Sequence, residues 1–294
     1  MNVSHKAFSG GLVMLNEMKH KLPGSEKKVA EYIIEHPNDA IQLTATRLGE
    51  VSGTSSAAVI RLCKSLGLKG FPDLKLRVSG DLQKSQQVSY SNIEPGEDQE
   101  AIVNKLTNNG VQALQETAEL VNYSELERAV KALQDADRIH FFGVGASGII
   151  AQDAQQKFLR MNKAVSCFTD IHNAAMYIAN VSEQDVVFCI SFSGETYETL
   201  KILQLAEQRG AVTISLTRYG HSAIADKADI PLFISATREV PAPFRSGATS
   251  SRLAQLHMID ILFVSVVTAQ YELASDYLKE IKEAMDFMKK GRRS

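Results

Sequence analysis

The feature that most constrains the fold is a repeated alternation, beginning at Arg138, of short apolar runs, Gly/Ser turns and helical segments. Five of the apolar runs have the length of a β-strand: Ile139–Phe142, Val165–Phe168, Val186–Ile190, Val212–Leu216 and Pro231–Ile234. Such runs are typical of strands that are buried on both faces, and helical crossovers between them make neighbouring strands parallel. The pattern therefore predicts a doubly wound α/β domain built on a parallel sheet.

The first 80 residues have a helical pattern instead. An apolar-periodic stretch opens at Leu12 and closes at Pro23. Ser25 is the expected N-cap of the next helix, and Pro37 is expected to end it. The chain therefore begins with an all-α head.

A polar stretch at residues 81–100 has almost no apolar periodicity, which is typical of a linker. A helix is then expected to run to about residue 120, and another to begin near Ser124 as its cap. A long helical tail is expected from Ser251 to about Lys290. The predicted domains are the helical head at residues 1–85, a linker and connecting helix at 86–125, and an α/β domain with its helical tail at 126–294.

The charge of the chain is unevenly divided. The net charge is −2, but residues 1–80 carry a net charge of +4 and the remainder carries −6. A basic head on an acidic body indicates that the head, and not the whole chain, meets a polyanion.

Two short helices joined by a tight turn are predicted within the head. Thr44 is a suitable N-cap for the first helix, Gly53 lies in the turn, and Thr54 or Ser55 caps the second helix. A buried stripe with helical spacing is expected on the second helix at Val59, Leu62, Cys63 and Leu66.

Small and basic side chains occupy the opposite face of that second helix and its exit loop. The residues expected to meet DNA are Ser55, Ser56, Ala57, Arg61, Lys64 and Lys69. The N–H groups at a helix N-terminus attract phosphates, small side chains allow close approach to base edges, and basic side chains bind phosphate or guanine. The pattern alone leaves a second interpretation open, a generic three-helix module with a solvated basic face.

Residues 47–67 and 70–75 resemble the DNA-binding head of the RpiR family of bacterial regulators. Family members have an Arg at the centre of the second helix, here Arg61, and a Lys-Ser-Leu-Gly-like ending. A Gly-Phe-x-Asp-Leu-Lys segment follows in the family and is present here. The resemblance covers residues 10–80 and implies that operator DNA is a partner.

The first of two Gly/Ser loops, Gly143–Gly148, directly follows a predicted strand. It matches the dinucleotide fingerprint G-x-G-x-x-G, and Asp170 lies near the end of the next strand, where a ribose-binding acid belongs. An NAD-sensing repressor is therefore one alternative. Ser147, however, adds a hydroxyl where a pyrophosphate site needs only backbone.

The second loop, Ser191–Thr196, offers three hydroxyls on a turn that opens a helix. Backbone N–H groups and the helix dipole attract a compact dianion there, and the hydroxyls complete its hydrogen bonding. The loop has no Lys or Arg, and the Walker lysine and metal carboxylate of a nucleoside triphosphate site are absent from the sequence. Ligands bind at the carboxyl ends of parallel strands, so both loops and the later Thr249–Arg252 indicate a phosphate-bearing ligand.

From about Leu126 to Tyr271 the chain resembles the SIS (sugar isomerase) domain, which binds phosphorylated sugars. The resemblance implies that the Ser-x-Ser-x-x-Thr run holds the phosphate. The effector-binding residues expected on this basis are Gly145, Ser147, Asp170, Ser191, Ser193, Glu195, Thr196, Ser250 and Ser251. Head plus SIS domain is the RpiR architecture. Residues 145–149, 191–196 and 248–256 most resemble members that sense N-acetylmuramic acid 6-phosphate or a related amino-sugar phosphate.

Catalysis is not expected, although SIS relatives include isomerases and an etherase, which need an acid or base beside the sugar. Glu195 is the first candidate for that role, followed by Glu198, His221 and His257. Glu195 has a simpler interpretation as a solvent-facing or sugar-binding carboxylate, and His257 as a packing residue. Fold kinship alone does not transfer chemistry. We therefore predict no catalytic residue, no metal and no cofactor. A phosphosugar isomerase or lyase with a helical accessory domain stays as a second alternative.

Targeting features are missing from the sequence. The N-terminus Met1–Lys6 has no apolar core followed by a cleavage site, and no apolar run reaches about 18 residues. A cytoplasmic protein with no membrane partner is expected. Cys63, Cys167 and Cys189 sit among apolar neighbours without metal-ligand spacing, which predicts buried, reduced thiols.

A homo-oligomer, at least a dimer, is expected because helix-turn-helix regulators occupy two half-sites about 34–36 Å apart. The C-terminal tail also carries more apolar residues than one exposed helix face should, among them Leu253, Leu256, Ile259, Ile261, Leu262 and Val264–Val267. Part of the tail is therefore expected to pack on a partner subunit.

Overall fold

The structure is a computed structural model that describes residues 10–84, 93–235 and 249–290. Two compact units are present: Met1–Val121 with Phe233–Ser251, and Asn122–Leu232 with Arg252–Ser294. The first unit is mainly helical, and the second carries a sheet with helices. The domain boundaries at residues 85 and 125 stay a prediction. The N-terminal residues Met1–Lys6, on which the expected localisation rests, lie outside the described residues.

Seven helices are described in the first unit before residue 121. They are α1 Gly11–Met18, α2 Gly24–Glu35, α3 Pro37–Ala40, α4 Ala45–Val51, α5 Ser56–Ser65, α6 Phe71–Lys84 and α7 Gln99–Leu120. The long helix expected to end near residue 120 is confirmed as α7. Its N-cap is Asp98, whose carboxylate accepts a hydrogen bond from the N–H of Ala101 at 2.7 Å.

The predicted linker begins later than expected, because α6 continues to Lys84. Asp81 lies on this extension, and its carboxylate accepts hydrogen bonds from the N–H groups of Gly10 at 2.6 Å and Leu12 at 2.8 Å. These donors belong to the start of α1, where N–H groups have no partner within the helix. Asp81 thus caps the start of α1. Residues 85–92 of the linker lie outside the described residues.

Two expected helix caps each lie two residues further along the chain than the observed caps. Helix α2 begins at Gly24 with Pro23 as its N-cap, and Ser25 instead accepts a hydrogen bond from the Arg61 guanidinium at 3.3 Å. The cap expected at Ser124 is Asn122, whose side chain accepts from two N–H groups in the first turn of the following helix. At α8 the Asn122 side chain thus takes the role that was expected of Ser124.

A close backbone approach joins the two helices of the predicted DNA-binding pair. A Cβ atom added at Gly49 of α4 would lie 2.6 Å from the carbonyl carbon of Ser55 and 2.8 Å from the nitrogen of Ser56. The N–H of Thr54 donates to the Gly49 carbonyl at 2.7 Å, and Gly53 has a φ of 65° in the turn. Glycine at position 49 therefore lets α4 touch the N-terminus of α5.

The remaining helices and strands belong to the second unit, except that the strand at Ile230–Ile234 and the helix at Ser250–Ala269 each extend two residues beyond its bounds. They are α8 Tyr123–Asp135, β1 Arg138–Gly143, α9 Ala146–Phe158, a 3-10 turn Leu159–Met161, β2 Ala164–Phe168, α10 Ile171–Ile178, β3 Asp185–Ile190, α11 Tyr197–Gln208, β4 Val212–Arg218, β5 Ile230–Ile234, α12 Ser250–Ala269 and α13 Tyr271–Lys290. All five predicted strands are confirmed.

The five strands form one sheet in the order β2-β1-β3-β4-β5. Strand β1 runs parallel to β2 and to β3, and β3 runs parallel to β4. All six residues of β3 are buried, as expected for a central strand covered on both faces. The fold class, a helical head plus a doubly wound parallel-sheet domain, is confirmed.

Both faces of the sheet carry a packed core. On one face Phe141 stacks against Phe158 of α9 and Phe188 of β3, with ring centroids 5.7 and 5.3 Å apart, and Phe158 meets Phe263 of α12. On the other face Phe142 packs in one cluster with residues of α10 and α11. Burial of one such side chain stabilises the fold by roughly 1.5–3 kcal/mol.

The predicted single helical tail is two helices, because the chain turns at Gln270 between α12 and α13. Helix α12 buries the stripe that includes Met258, Ile259, Leu262 and Val266. By length and by a mean hydropathy of 1.4, α12 is also a candidate membrane span among the described residues, so the expectation that no segment qualifies is wrong by that measure. Mean hydropathy averages over isolated polar residues such as Asp260, which interrupt the apolar run in the sequence. The core helix of a soluble protein can reach the same mean hydropathy.

Gly49→Ala is expected to lower the free energy of unfolding by about 1–3 kcal/mol, because the added methyl group meets the backbone of α5. Gly24→Ala is the matched control, since no atom lies within 4 Å of its added Cβ, and it should change stability by less than about 0.5 kcal/mol. Urea unfolding of the three proteins measures both values. Equal stability of the Gly49 variant and the parent would show that α4 and α5 are not in close contact.

Candidate functional site

Helices α4 and α5 have the form of a helix-turn-helix. The hydroxyl of Thr44 accepts a hydrogen bond from the N–H of Arg47 at 3.2 Å, which confirms the predicted cap of α4. Ser55 is the N-cap residue of α5 but makes no side-chain cap bond. The Ser55 hydroxyl therefore makes no hydrogen bond to the first turn of α5.

The two faces of α5 differ as the sequence predicted. Leu62 and Cys63 are fully buried, as are Ala58 and Val59 on the same stripe. The residues exposed on the helix and its exit loop are Ser55, Ser56, Ala57, Ile60, Arg61, Lys64 and Lys69. The proposed DNA-facing residues thus share one surface, and their role on it stays a prediction.

Arg61 is not an isolated surface cation. Its Nε lies 3.5 Å from a carboxylate oxygen of Glu26, and its Nη2 donates to the hydroxyl of Ser25 at 3.3 Å. The Glu26 side chain is only 5% exposed, and it also accepts a hydrogen bond from Ser65 at 2.8 Å. Sequence reasoning missed Glu26, because the charge lies on α2 and faces inward against the helical pattern.

The first loop turns sharply between β1 and α9. Gly145 has a φ of 59° and is the N-cap residue of α9, with no side-chain cap. An added Cβ at Gly143 would lie 2.7 Å from the carbonyl oxygen of Ser147, and one at Gly148 would lie 2.7 Å from Thr169. The outer two glycines therefore allow close packing of strand and helix, and Gly145 permits the turn.

The second loop is held together by its own hydroxyl groups. Ser191 and Thr196 are joined by a hydrogen bond of 2.9 Å between their hydroxyls, and the N–H of Gly194 donates to Ser191 at 3.2 Å. The N–H of Glu195 donates to the hydroxyl of Ser193 at 3.1 Å. These bonds shape the turn at the N-terminus of α11, where Thr196 is the N-cap residue without a side-chain cap bond.

A third segment, residues 219–226 after β4, supports this loop. The N–H of Ala223 donates to the Glu195 carboxylate at 3.2 Å, and the N–H of Ile224 donates to the Gly194 carbonyl at 3.0 Å. An added Cβ at Gly194 would lie 2.1 Å from the hydroxyl oxygen of Ser222. Gly194, with a φ of 72°, is thus the position at which the two segments meet.

The sheet places the two loops side by side. Gly143 at the end of β1 and Ile190 at the end of β3 are register partners in neighbouring parallel strands. The strand order reverses between these two strands, and this switch point is where doubly wound sheets bind ligands. The segments that carry Ser147 and Ser191–Thr196 therefore begin at the same edge of the sheet.

The remaining predicted effector residues have other surroundings. Asp170 is the N-cap of α10, and its carboxylate accepts a hydrogen bond from the N–H of Asn173 at 2.9 Å. Ser250 and Ser251 open α12, and both are buried. A local partner thus already engages the Asp170 carboxylate.

Two of the candidate acid and base groups have partners within the chain. His221 pairs with Asp226 at 3.0 Å on an exposed turn, and Glu195 holds a backbone N–H. Burial raises the pKa of the thiols of Cys63 and Cys167 to about 11 and of Cys189 to about 12, so they stay protonated at neutral pH. Within the described ranges, no group of His, Cys, Asp and Glu is arranged to hold a metal ion.

Comparison with known proteins identifies both parts of the chain. Residues 9–85 match the model of the helix-turn-helix domain of the rpiR family, and residues 132–265 match the SIS domain. The chain is 48% identical to the HTH-type transcriptional regulator YbbH of Bacillus subtilis over 96% of its own length and 99% of the relative. This chain belongs to the RpiR family.

Other RpiR-type regulators and a solved structure agree with this assignment. The chain is 32% identical to the HTH-type transcriptional regulator HexR of Escherichia coli over 92% of each chain. It is also similar to the NanR protein of Vibrio vulnificus, solved in complex with ManNAc-6P, with a TM-score of 0.59 and 29% identity over 95% of this chain and 98% of that one. This RpiR-family chain is a transcriptional regulator with a helix-turn-helix head and an SIS domain.

Arg61→Ala is expected to lower the free energy of unfolding by about 1 kcal/mol, because it leaves the buried Glu26 carboxylate with Ser65 alone. The value is modest since the Arg61 side chain is half exposed to solvent. In a Glu26→Gln background the same substitution should cost only a few tenths of a kcal/mol. Urea unfolding of the four proteins of this cycle measures the coupling, and identical costs in both backgrounds would refute it.

Proposed function

We propose that this RpiR-family regulator binds a phosphorylated amino sugar in the crevice between the first and second loops, and that the sugar changes the affinity of α5 for operator DNA. The observation that carries the proposal is the register pairing of Gly143 with Ile190, since it starts both hydroxyl-bearing loops at adjacent points of one sheet edge.

In this proposal the phosphate lies against the second loop. Ser193 and Thr196 contribute hydroxyls, Ser191 shapes the turn through its bonds to Thr196 and Gly194, and the N-terminus of α11 contributes N–H groups. Ser147 at the start of α9 faces the same crevice from the first loop. Gly145, Asp170, Glu195, Ser250 and Ser251 are proposed contacts to the rest of the sugar.

The effector class follows from two lines of support. The neighbouring NanR structure holds ManNAc-6P, and the sequence runs resemble members that sense N-acetylmuramic acid 6-phosphate. Both compounds are N-acetylated amino sugars with a 6-phosphate. We therefore assign the effector to this chemical class, with N-acetylmuramic acid 6-phosphate as the first compound to test.

The DNA-binding part of the proposal rests on the exposed face of α5. Ser55, Ser56 and Ala57 are small enough to let the helix N-terminus approach base edges. Lys64 and Lys69 bind phosphates, and the guanidinium of Arg61, already oriented by Glu26, reaches a base or a phosphate. A regulator that contacts chromosomal DNA in this way works in the cytoplasm.

The alternative functions have less support from the comparisons. The relatives YbbH and HexR are named as HTH-type transcriptional regulators, and the similar NanR structure holds a sugar phosphate, ManNAc-6P. Binding without catalysis is therefore the proposed role of the SIS domain.

Ser193→Ala is expected to raise the effector concentration at half-maximal response about 10- to 150-fold. One hydrogen bond to a charged group contributes roughly 1.5–3 kcal/mol. The shift in operator affinity at saturating effector should stay unchanged, because the substitution weakens binding of the sugar and not the coupling between states. Operator binding titrated with N-acetylmuramic acid 6-phosphate measures both quantities.

Ser124→Ala, at an exposed serine of α8, is the matched control for this test and should respond as the parent does. A Ser193 variant with an unchanged midpoint would remove that residue from the site. A parent protein whose operator affinity responds to nicotinamide dinucleotides and not to sugar phosphates would overturn the proposed effector class.

The regulator is further expected to be a homodimer or a higher homo-oligomer. Helix α12 buries Ile259 and Leu262 in its own unit, but Leu253 and Val264 are about half exposed, and α13 exposes Met285, Phe287 and Met288. Such apolar area is typical of an interaction surface. Sedimentation at micromolar concentration should give at least twice the 32.3 kDa mass of one chain, and a monomer would contradict the expectation.

A further inference from the structure

An arginine at the end of β4 lies directly beside the second loop. The N–H of Ser191 donates to the carbonyl of Leu216 at 3.1 Å, and the N–H of Arg218 donates to the carbonyl of Phe192 at 3.0 Å. These bonds continue the parallel β3–β4 ladder beyond the last residue of β3 and into the loop. Arg218 is thus tied by its backbone to the residues proposed to bind phosphate.

The side chain of Arg218 has no partner in the part of the chain that the structure describes. Its residue is half-buried, and its Nε is buried without a hydrogen-bond acceptor. Two other arginines of the same unit have acidic partners: Arg138 makes two hydrogen bonds of 2.8 and 2.7 Å to Asp185, and Arg128 binds Glu125 at 2.6 Å. The Nε of Arg252 is also buried without an acceptor, but Arg218 is the arginine whose backbone is bonded to the second loop.

A buried donor without an acceptor is costly, and a guanidinium stays charged at any physiological pH. Such a group points to an acceptor from outside the described residues, and the charge of the arginine favours an anion. The second loop itself contains no Lys or Arg. A phosphate dianion there would have only hydroxyls, N–H groups and a helix dipole for its two negative charges.

We propose that Arg218 binds the phosphate of the effector, with its guanidinium donating to phosphate oxygens that Ser193 and Thr196 hold from the other side. This inference rests on the proposed function of the second loop and adds the charge that the loop lacks. The planar guanidinium presents paired donors that match two oxygens of one phosphate, which an ammonium group does not. Arg218 thus makes the site selective for phosphorylated over neutral sugars.

The test uses calorimetric titration of the full-length protein with N-acetylmuramic acid 6-phosphate, ManNAc-6P and unphosphorylated N-acetylmannosamine. Arg218→Gln should weaken binding of both sugar phosphates roughly 10- to 150-fold. It should not change any residual binding of the neutral sugar. Arg218→Lys should lie between the parent and Arg218→Gln. The matched control is Arg209→Gln, at an exposed arginine that follows α11, and it should bind as the parent does.

A second readout separates ligand binding from a structural role. Because Arg218→Gln removes an unpaired, half-buried charge, the melting temperature of the ligand-free variant should equal or exceed that of the parent. A structural role would lower that temperature. A lower melting temperature together with parent-like affinity for both sugar phosphates would overturn the proposal.

The outcomes also distinguish this inference from the proposed function. If Ser193→Ala weakens binding of the sugar phosphates and Arg218→Gln does not, the phosphate site stands and the role of Arg218 is refuted. If the parent binds neither sugar phosphate, the proposed function and the role of Arg218 both fail. If Arg218→Gln does not fold, the Arg218→Lys variant provides the test. If that variant binds both sugar phosphates with the affinity of the parent, the guanidinium contact is refuted.

Discussion

The parallel pairing of β1 with β3 is the constraint on which the sheet-containing unit depends. The chain leaves β1 in one direction to form β2 and returns to the other side of β1 as β3. Right-handed crossovers then put α9 on one face of the sheet and α10 with α11 on the other. Phe158 of α9 accordingly packs on one face of the sheet, and the cluster around Phe142 packs with α10 and α11 on the other.

The same reversal creates the proposed effector site. The helices that follow β1 and β3 leave toward opposite faces, so their N-termini diverge and a crevice opens between the first and second loops. In our proposal two helix N-termini and several hydroxyls face this space, an arrangement suited to an anion. The glycines at 143 and 148 keep α9 close to its strand, and Gly194 keeps the second loop against the segment after β4.

The helix-turn-helix depends on two contacts that have different physical origins. Gly49 removes the side chain that would separate α4 from α5, so steric fit sets the angle between the helices. Glu26 is a buried carboxylate whose charge is satisfied by Ser65 and Arg61, so electrostatics fixes α5 against α2. A side chain that holds the helix in place is thus also on the surface proposed to meet DNA.

The sequence by itself determined much of this protein, because the relevant information is local. Runs of apolar residues marked the five strands, helical spacing marked the buried stripe of α5, and hydroxyl and glycine residues marked both loops. The motifs in those same segments also indicated the RpiR family and its two domains. The proposed DNA-facing residues follow from the helical pattern of α5, and the proposed effector residues follow from the resemblance to the SIS domain.

Only the tertiary structure decided which of these segments meet, because such contacts join residues far apart in the chain. Arg61 and Ser25 are 36 residues apart, and no periodicity indicates that the inward-facing Glu26 lies beside them. Strand order likewise depends on how all the helices pack on the sheet. The residues of β1 and β3 alone therefore do not predict that these two strands are neighbours. The sequence also could not show that the Nε of Arg218 lacks an acceptor among the described residues. That finding requires the positions of all the side chains around Arg218, which only the fold provides.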